Sequence, residues 1–194
     1  MKTAIFGGTF DPIHSAHLIV AREAADAFHL DRVLFIPAAN PPHKEAATSY
    51  EDRYAMVKLA CQEDPRFIAS RLEQGAEKNY SVYTIQKVRE SEKTGGELLF
   101  VIGADAFADI VSWHRWEEVV ASVEFIVVTR PGHRYASPPG AIVHRLETVA
   151  LPVSSSEIRS RLARGEMTRE LPLCVTEYIR QHHLYTQDRL EPIK

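Results

Sequence analysis

The chain has 194 residues, 45% hydrophobic and 25% charged, with a formal net charge of -3. That length suits one domain with a sizeable core and is short for two, and the charge argues against a broad basic face for nucleic acid. Two distant cysteines, Cys61 and Cys174, argue against a disulfide framework, and the absence of any apolar run near the ~20 residues of a bilayer span, or of a signal-type h-region, makes the expectation a cytoplasmic protein without a membrane partner.

The elements read in order as short β-rich runs alternating with helical patterns. Thr3 to Phe6 is a compact apolar strand. From Ser15 to Phe28 the spacing turns helical, with Leu18, Ala21, Ala25 and Phe28 recurring every three or four residues. Arg32 to Ile36 is a second strand, stopped by Pro37. Thr48 to Cys61 reads as a helix with a Thr48–Glu51 capping box. Arg66 to Ser70 is a third strand, Tyr83 to Glu92 a helix, and Leu98 to Ile102 and Glu124 to Thr129 are strands apolar on both faces. Ser154 to Arg164 and Pro172 to Gln181 are the last helices. Strands apolar throughout are the habit of parallel sheets covered by helices. The expected fold is therefore a doubly wound, Rossmann-like α/β sheet with helices on both faces, one domain over residues 1–194, its C-terminal helix (about 172–183) packed on the rest.

In such a sheet ligands sit beyond the carboxyl ends of the strands. That ranks four loops first: GGTFDPIHSAH, AANPPHK, GAD and RPGH. In the first, Gly7 and Gly8 directly follow a buried strand, where glycine lets the backbone turn and approach a ligand. The helix start that follows is a natural phosphate seat. His14 and His17, three apart, share a face there and can donate to phosphoryl oxygens as charge develops. The competing readings are solvated or capping histidines, or a Zn²⁺ site with Asp11 as third ligand. Neither Gly-Lys-Ser/Thr nor GxGxxG occurs here.

GGTFDPIHSAH closely resembles the signature of the HxGH nucleotidyltransferase superfamily, and within it the bacterial nicotinate mononucleotide adenylyltransferases. Ala16 stands where that family usually has glycine. The resemblance implies that His14 and His17 bind the ATP phosphates and stabilise the transferring α-phosphate. It implies an ATP site on Gly7, Gly8, Thr9 and Phe10, with Asp11 on the acceptor side. Pro41-Pro42-His43-Lys44 resembles the family segment whose lysine meets substrate phosphate. Ser154-Ser155-Ser156-Glu157-Ile158-Arg159 is a capping box on the residues alone. It also resembles the family's triphosphate-holding motif, which implicates Ser155, Ser156 and Arg159. Gly103 and Asp105 match a nucleotide-contacting GxD. Trp113, then Trp116, are the candidates for stacking on a pyridine ring. Tyr83-Thr84 resembles a pair whose backbone N–H groups meet a nicotinate carboxylate, and Arg130 also has a family counterpart.

The resemblance spans roughly residues 1 to 185 with its motifs in family order. It implies transfer of AMP from ATP to nicotinate mononucleotide, with Mg²⁺ carried on ATP and no protein metal cage. Nicotinamide mononucleotide or phosphopantetheine as acceptor, and a nucleotide sensor without turnover, are the alternatives.

Overall fold

The computed structural model describes residues 1–40, 46–75, 80–91, 95–149 and 153–186. Strands and helices follow one another as β1 (Lys2–Gly8), α1 (Ser15–Ala27), β2 (Arg32–Pro37), α2 (Tyr50–Ala60), β3 (Phe67–Ala69), α3 (Ser81–Ser91), β4 (Glu97–Gly103), α4 (Ala104–Ala108), α5 (Trp116–Ser122), β5 (Glu124–Thr129), β6 (Val143–Glu147), α6 (Ser155–Ala163) and α7 (Leu173–Gln181). The six strands form one sheet in the order β3-β2-β1-β4-β5-β6, every neighbouring pair parallel.

Period-two alternation splits the sheet residues between two cores. Ala4, Val33, Phe35, Leu99, Val101 and Ile126 face α1, α2, α6 and α7. Ile5, Leu34, Ile36, Phe100, Ile102 and Val127 face α3, α4 and α5. This double covering explains why all of Leu98 to Ile102 is buried. It is the doubly wound α/β architecture expected from the alternation of patterns. No helix among the described residues is long and apolar enough to cross a membrane.

Several boundaries differ from the expectations, each for a local reason. The cap of α2 is Ser49, whose Oγ accepts from the Asp52 N–H at 3.1 Å. Thr48, the expected cap, lies one residue outside this position, and its hydroxyl instead donates to the Asp11 carboxylate at 2.7 Å. Helix α3 starts two residues early, at Ser81, and the expected end at Glu92 lies outside the described residues. β6 has no counterpart among the expected strands: it is an edge strand reading Val-His-Arg-Leu-Glu, with only Leu146 buried, so it has no apolar run. The short helices α4 and α5 were likewise not expected from periodicity.

The chain leaves β1 for β2 on one side of the sheet and β4 for β5 on the other. The strand order therefore reverses between β1 and β4, where an open α/β sheet forms its crevice. Gly7 and Gly103, at the carboxyl ends of these strands, are both exposed.

Candidate active site

The first loop leaves β1 through Gly7 and Gly8, but neither glycine makes the turn. The left-handed residue is Phe10, at φ 49°, beside a cis Asp11–Pro12 peptide. Gly8 is needed for a different reason. A Cβ there would lie 3.0 Å from the Phe10 ring, whereas one at Gly7 would be 3.9 Å from its nearest neighbour. Phe10 itself, expected on the ATP side, is a core ring at 2% exposure. It packs 5.8 Å from Phe6, 5.8 Å from Phe35 and 5.1 Å from His17, so it backs the histidine.

His14 and His17 open α1 as a stacked pair, ring centroids 3.7 Å apart and planes 26° apart. The His14 backbone N–H donates to His17 Nδ1 at 3.2 Å. A neutral imidazole whose Nδ1 accepts must carry its proton on Nε2, so this bond presets His17 as an Nε2–H donor. His14 Nδ1 is buried with no hydrogen-bond partner. Burial pulls the His14 pKa down to about 4, against a smaller upward pull from Glu170. Burial, and then His14, hold His17 well below the ordinary imidazole range. Both rings are therefore neutral at neutral pH. Among the described residues no group of three or more His, Cys, Asp or Glu is placed to hold a metal ion.

The start of α6 converges on the same loop from a distant part of the chain. Ser154 caps the helix, accepting from the Glu157 N–H at 3.2 Å, which is the serine half of the expected capping box. Ser155 Oγ donates to the Pro12 carbonyl at 3.0 Å, and Arg159 Nη1 to the Asp11 carbonyl at 2.7 Å. Ser156 is exposed beside Ser154, their Oγ atoms 3.1 Å apart. The imidazole pair and the N-terminus of α6 thus flank one loop.

Asp11 departs from its expected place on the acceptor side. It is 2% exposed. Its Oδ2 accepts from the Ala47 N–H at 2.6 Å, and its Oδ1 from Thr48 Oγ1 at 2.7 Å and the Tyr185 hydroxyl at 2.6 Å. The carboxylate is occupied inside the protein, which also leaves it no part in a zinc site. Arg53 is a second internal tie, 1% exposed. Its Nη1 donates to the carbonyls of Thr9 at 2.8 Å and Ala38 at 2.7 Å, and its Nη2 reaches that of Ala39 at 3.4 Å. Sequence reading missed Arg53, yet it carries a signal: it falls in the 3–4 row of Met56, Val57 and Ala60, the buried face of α2. An arginine on an apolar row must find acceptors indoors. Tyr185, near the end of the described chain, carries no comparable signal.

On the other side of the crevice Gly103 ends β4, and Asp105 is exposed in the first turn of α4. Trp113 is half-buried and meets Phe100 edge-on, centroids 6.1 Å apart. Trp116 is half-buried at the start of α5. Tyr83 is exposed near them, its hydroxyl 3.4 Å from His114 Nε2. Tyr80 lies 4.4 Å from the His114 ring. Tyr80 and His114 were not singled out from sequence, but they join the start of α3 to the Trp113 turn. The Tyr83 and Thr84 N–H groups, expected to meet a carboxylate, donate to the Tyr80 carbonyl at 3.0 and 3.3 Å. The Thr84 hydroxyl donates to Glu73 at 2.6 Å, so Thr84 is spent within the protein. Burial raises the Glu73 pKa, against the Thr84 hydrogen bond and the Lys87 charge. Arg130 is exposed just beyond β5. Lys44 lies outside the described residues, with the rest of Pro41-Pro42-His43-Lys44.

Residues 5–161 match the model of the cytidylyltransferase-like family. A protein of Solibacter usitatus named "probable nicotinate-nucleotide adenylyltransferase" is 55% identical over 187 residues, covering 95% of this chain and all of that one. A protein of the same name from Thermus thermophilus is 41% identical, with coverage of 95% and 100%. Among solved structures, the nicotinic acid mononucleotide adenylyltransferase of Plasmodium falciparum complexed with NaAD superposes with a TM-score of 0.79 at 21% identity, over 95% of this chain and 98% of that one. This last likeness speaks for the fold.

Proposed function

The chain belongs to the nicotinate-nucleotide adenylyltransferase family, and from that premise we propose that it moves the adenylyl group of ATP onto nicotinate mononucleotide. The products are nicotinate adenine dinucleotide and pyrophosphate, a step of NAD biosynthesis. The observation that carries the reading is the convergence on one loop of a preset imidazole donor and the α6 start, through Ser155 on Pro12 and Arg159 on Asp11.

A phosphate oxygen of the acceptor attacks the α-phosphorus of ATP in line. The bond from that phosphorus to the bridging oxygen of the β-phosphate breaks, and pyrophosphate leaves with the electron pair. The attacking phosphate is already anionic, so the step needs no general base. The protein contributes position and hydrogen-bond donors around the phosphoryl oxygens. In this scheme His17 Nε2–H donates to the α-phosphate beside His14. Ser156, Arg159 and the N–H groups of α6, that of Ser155 among them, hold the departing phosphates, while the Ser155 hydroxyl fixes the helix start on Pro12. Gly7, Gly8 and Gly103 supply approachable backbone, and Asp105 accepts from ribose hydroxyls. Trp113 stacks on the pyridine ring, with Tyr83, Trp116 and Arg130 around it and Lys44 on the acceptor phosphate. Asp11, Arg53 and Thr84 act from behind. Mg²⁺ would be carried on the ATP phosphates, where it would neutralise part of their charge. A cytoplasmic setting fits the two free cysteines.

The test is pyrophosphate release from the purified protein with ATP and Mg²⁺, comparing nicotinate mononucleotide, nicotinamide mononucleotide and phosphopantetheine. The nicotinate form is expected to be strongly preferred. His17→Ala is expected to lower turnover by about 10²–10³ with the fold intact. Preference for another acceptor discards the pyridine-pocket roles. No release with any acceptor discards the enzymatic reading in favour of a nucleotide sensor.

A further inference from the structure

Two buried side chains tie the first loop to both ends of the segment between β2 and α2. Arg53 joins the Thr9 carbonyl to those of Ala38 and Ala39, where that segment begins. The Asp11 carboxylate joins the first loop to Ala47 and Thr48, where it ends. The third donor to Asp11 comes from far along the chain. Tyr185, 3% exposed, gives its hydroxyl to Asp11 Oδ1 at 2.6 Å and stands 3.4 Å from Thr48 Oγ1.

The backbone is bent to deliver it. Beyond α7, His183 and Tyr185 both have positive φ, 50° and 60°, and Leu184 between them is buried, its N–H donating to the Ile179 carbonyl at 3.0 Å. A bulky residue in the left-handed region persists only where its surroundings over-determine it. Here the surroundings are the core that holds Phe10 and Ile13, and the hydrogen bond itself. Helix α7 itself is tied to α2 separately, by the Tyr178 hydroxyl on Asp52 at 3.1 Å. α7 thus has its own tie to α2, while the Tyr185 hydroxyl completes the donor shell of Asp11.

We infer that Tyr185 is a positioning residue which, through Asp11, sets the alignment of the first loop with Ala47 and Thr48 ahead of α2. The inference rests on the proposed adenylyl transfer for its kinetic consequence and on geometry alone for its structural one. On that reading the first loop leads to the His17 donor that meets the reacting phosphate, so a shifted loop loses alignment in the transition state more than it loses substrate binding. The loss belongs in kcat and not in KM.

Tyr185→Phe keeps the ring and removes the hydroxyl. At a temperature well below unfolding it is expected to lower kcat about tenfold while both KM values stay within about twofold. The Ala47 amide is expected to lose protection against hydrogen exchange. Leu184→Ala weakens the turn beyond α7 by packing alone: it is expected to lower Tm more and kcat less. Thr48→Val also acts through Asp11 Oδ1, so its kcat loss and that of Tyr185→Phe should fall short of additive. Unchanged kcat and unchanged Ala47 protection in Tyr185→Phe overturn the inference, as does an equal kcat loss in Leu184→Ala or additivity with Thr48→Val. Should the wild-type protein transfer no adenylyl group, the functional reading fails, and Ala47 protection alone decides this one.

Discussion

Replacing Arg53 by methionine removes a guanidinium from the buried face of α2 and leaves a side chain of similar length. The loss can be worked from the contacts. Two charge-assisted hydrogen bonds, at 2.8 and 2.7 Å, end on the carbonyls of Thr9 and Ala38. The third, at 3.4 Å to Ala39, is long enough to neglect. Hydrogen bonds to charged groups contribute about 1.5–3 kcal/mol each, and orphaned buried carbonyls add a further cost. Against this stands the recovered expense of burying a cation, which also lowers the Arg53 pKa. A net loss of about 3 kcal/mol follows. For a domain of this size that is roughly 6–12 °C in Tm. Urea denaturation monitored by far-UV circular dichroism measures it, with wild type and Arg53→Lys alongside. Arg53→Lys should lose less, since both short bonds leave one nitrogen, Nη1, and an ammonium keeps the charge and has donors for two carbonyls. A loss under about 1 kcal/mol in Arg53→Met, with an unchanged m-value, refutes the claim that the guanidinium holds the two loops together.

The paired histidines tie stability to pH. His14 titrates near 6.5 unfolded and near 4 folded, so between these values the unfolded chain binds a proton the folded one refuses. Its contribution is present above pH 6.5 and falls by about 3 kcal/mol as pH drops to 4. Chemical denaturation across that range should show His14→Gln with a shallower acid slope than wild type; equal slopes would sink the assignment. Gly8→Ala places a Cβ 3.0 Å from a packed ring with little room to move, so it should lose about 1–3 kcal/mol and shift Phe10 against His17. Gly7→Ala, with 3.9 Å of clearance, should retain most of its stability. Thermal melts of the pair test the contrast, and similar losses in both would contradict it.

How far the sequence reaches can be followed residue by residue. Leu98 to Ile102 is apolar on both faces because it is covered on both, so local composition alone reveals a buried parallel strand. β6 escapes the same reading because an edge strand buries one residue in five. His14 and His17 are legible as a pair because residues three apart at a helix start meet, here as N-cap and N3. Ser154 is legible as a cap because its hydroxyl meets the Glu157 N–H within four residues. Local periodicity and short-range hydrogen bonding need no knowledge of where the rest of the chain goes.

What only the tertiary structure decided is where each polar group finds its partner. Asp11 and Thr84 look like exposed loop chemistry in the sequence, yet each is bonded inside the protein. Thr48 reads as a cap until Asp11 claims its hydroxyl. Phe10, not a glycine, takes the left-handed turn because its ring completes a core shared by β1, β2 and α1. Tyr185 reaches Asp11 across 174 residues of chain. A buried polar group must be satisfied, but which distant donor satisfies it depends on the packing of the whole sheet and its helices. Local pattern was enough for the buried strands, the longer helices and the imidazole pair; packing set the edge strand β6, the short helices, and which side chains face the crevice and which hold it in shape.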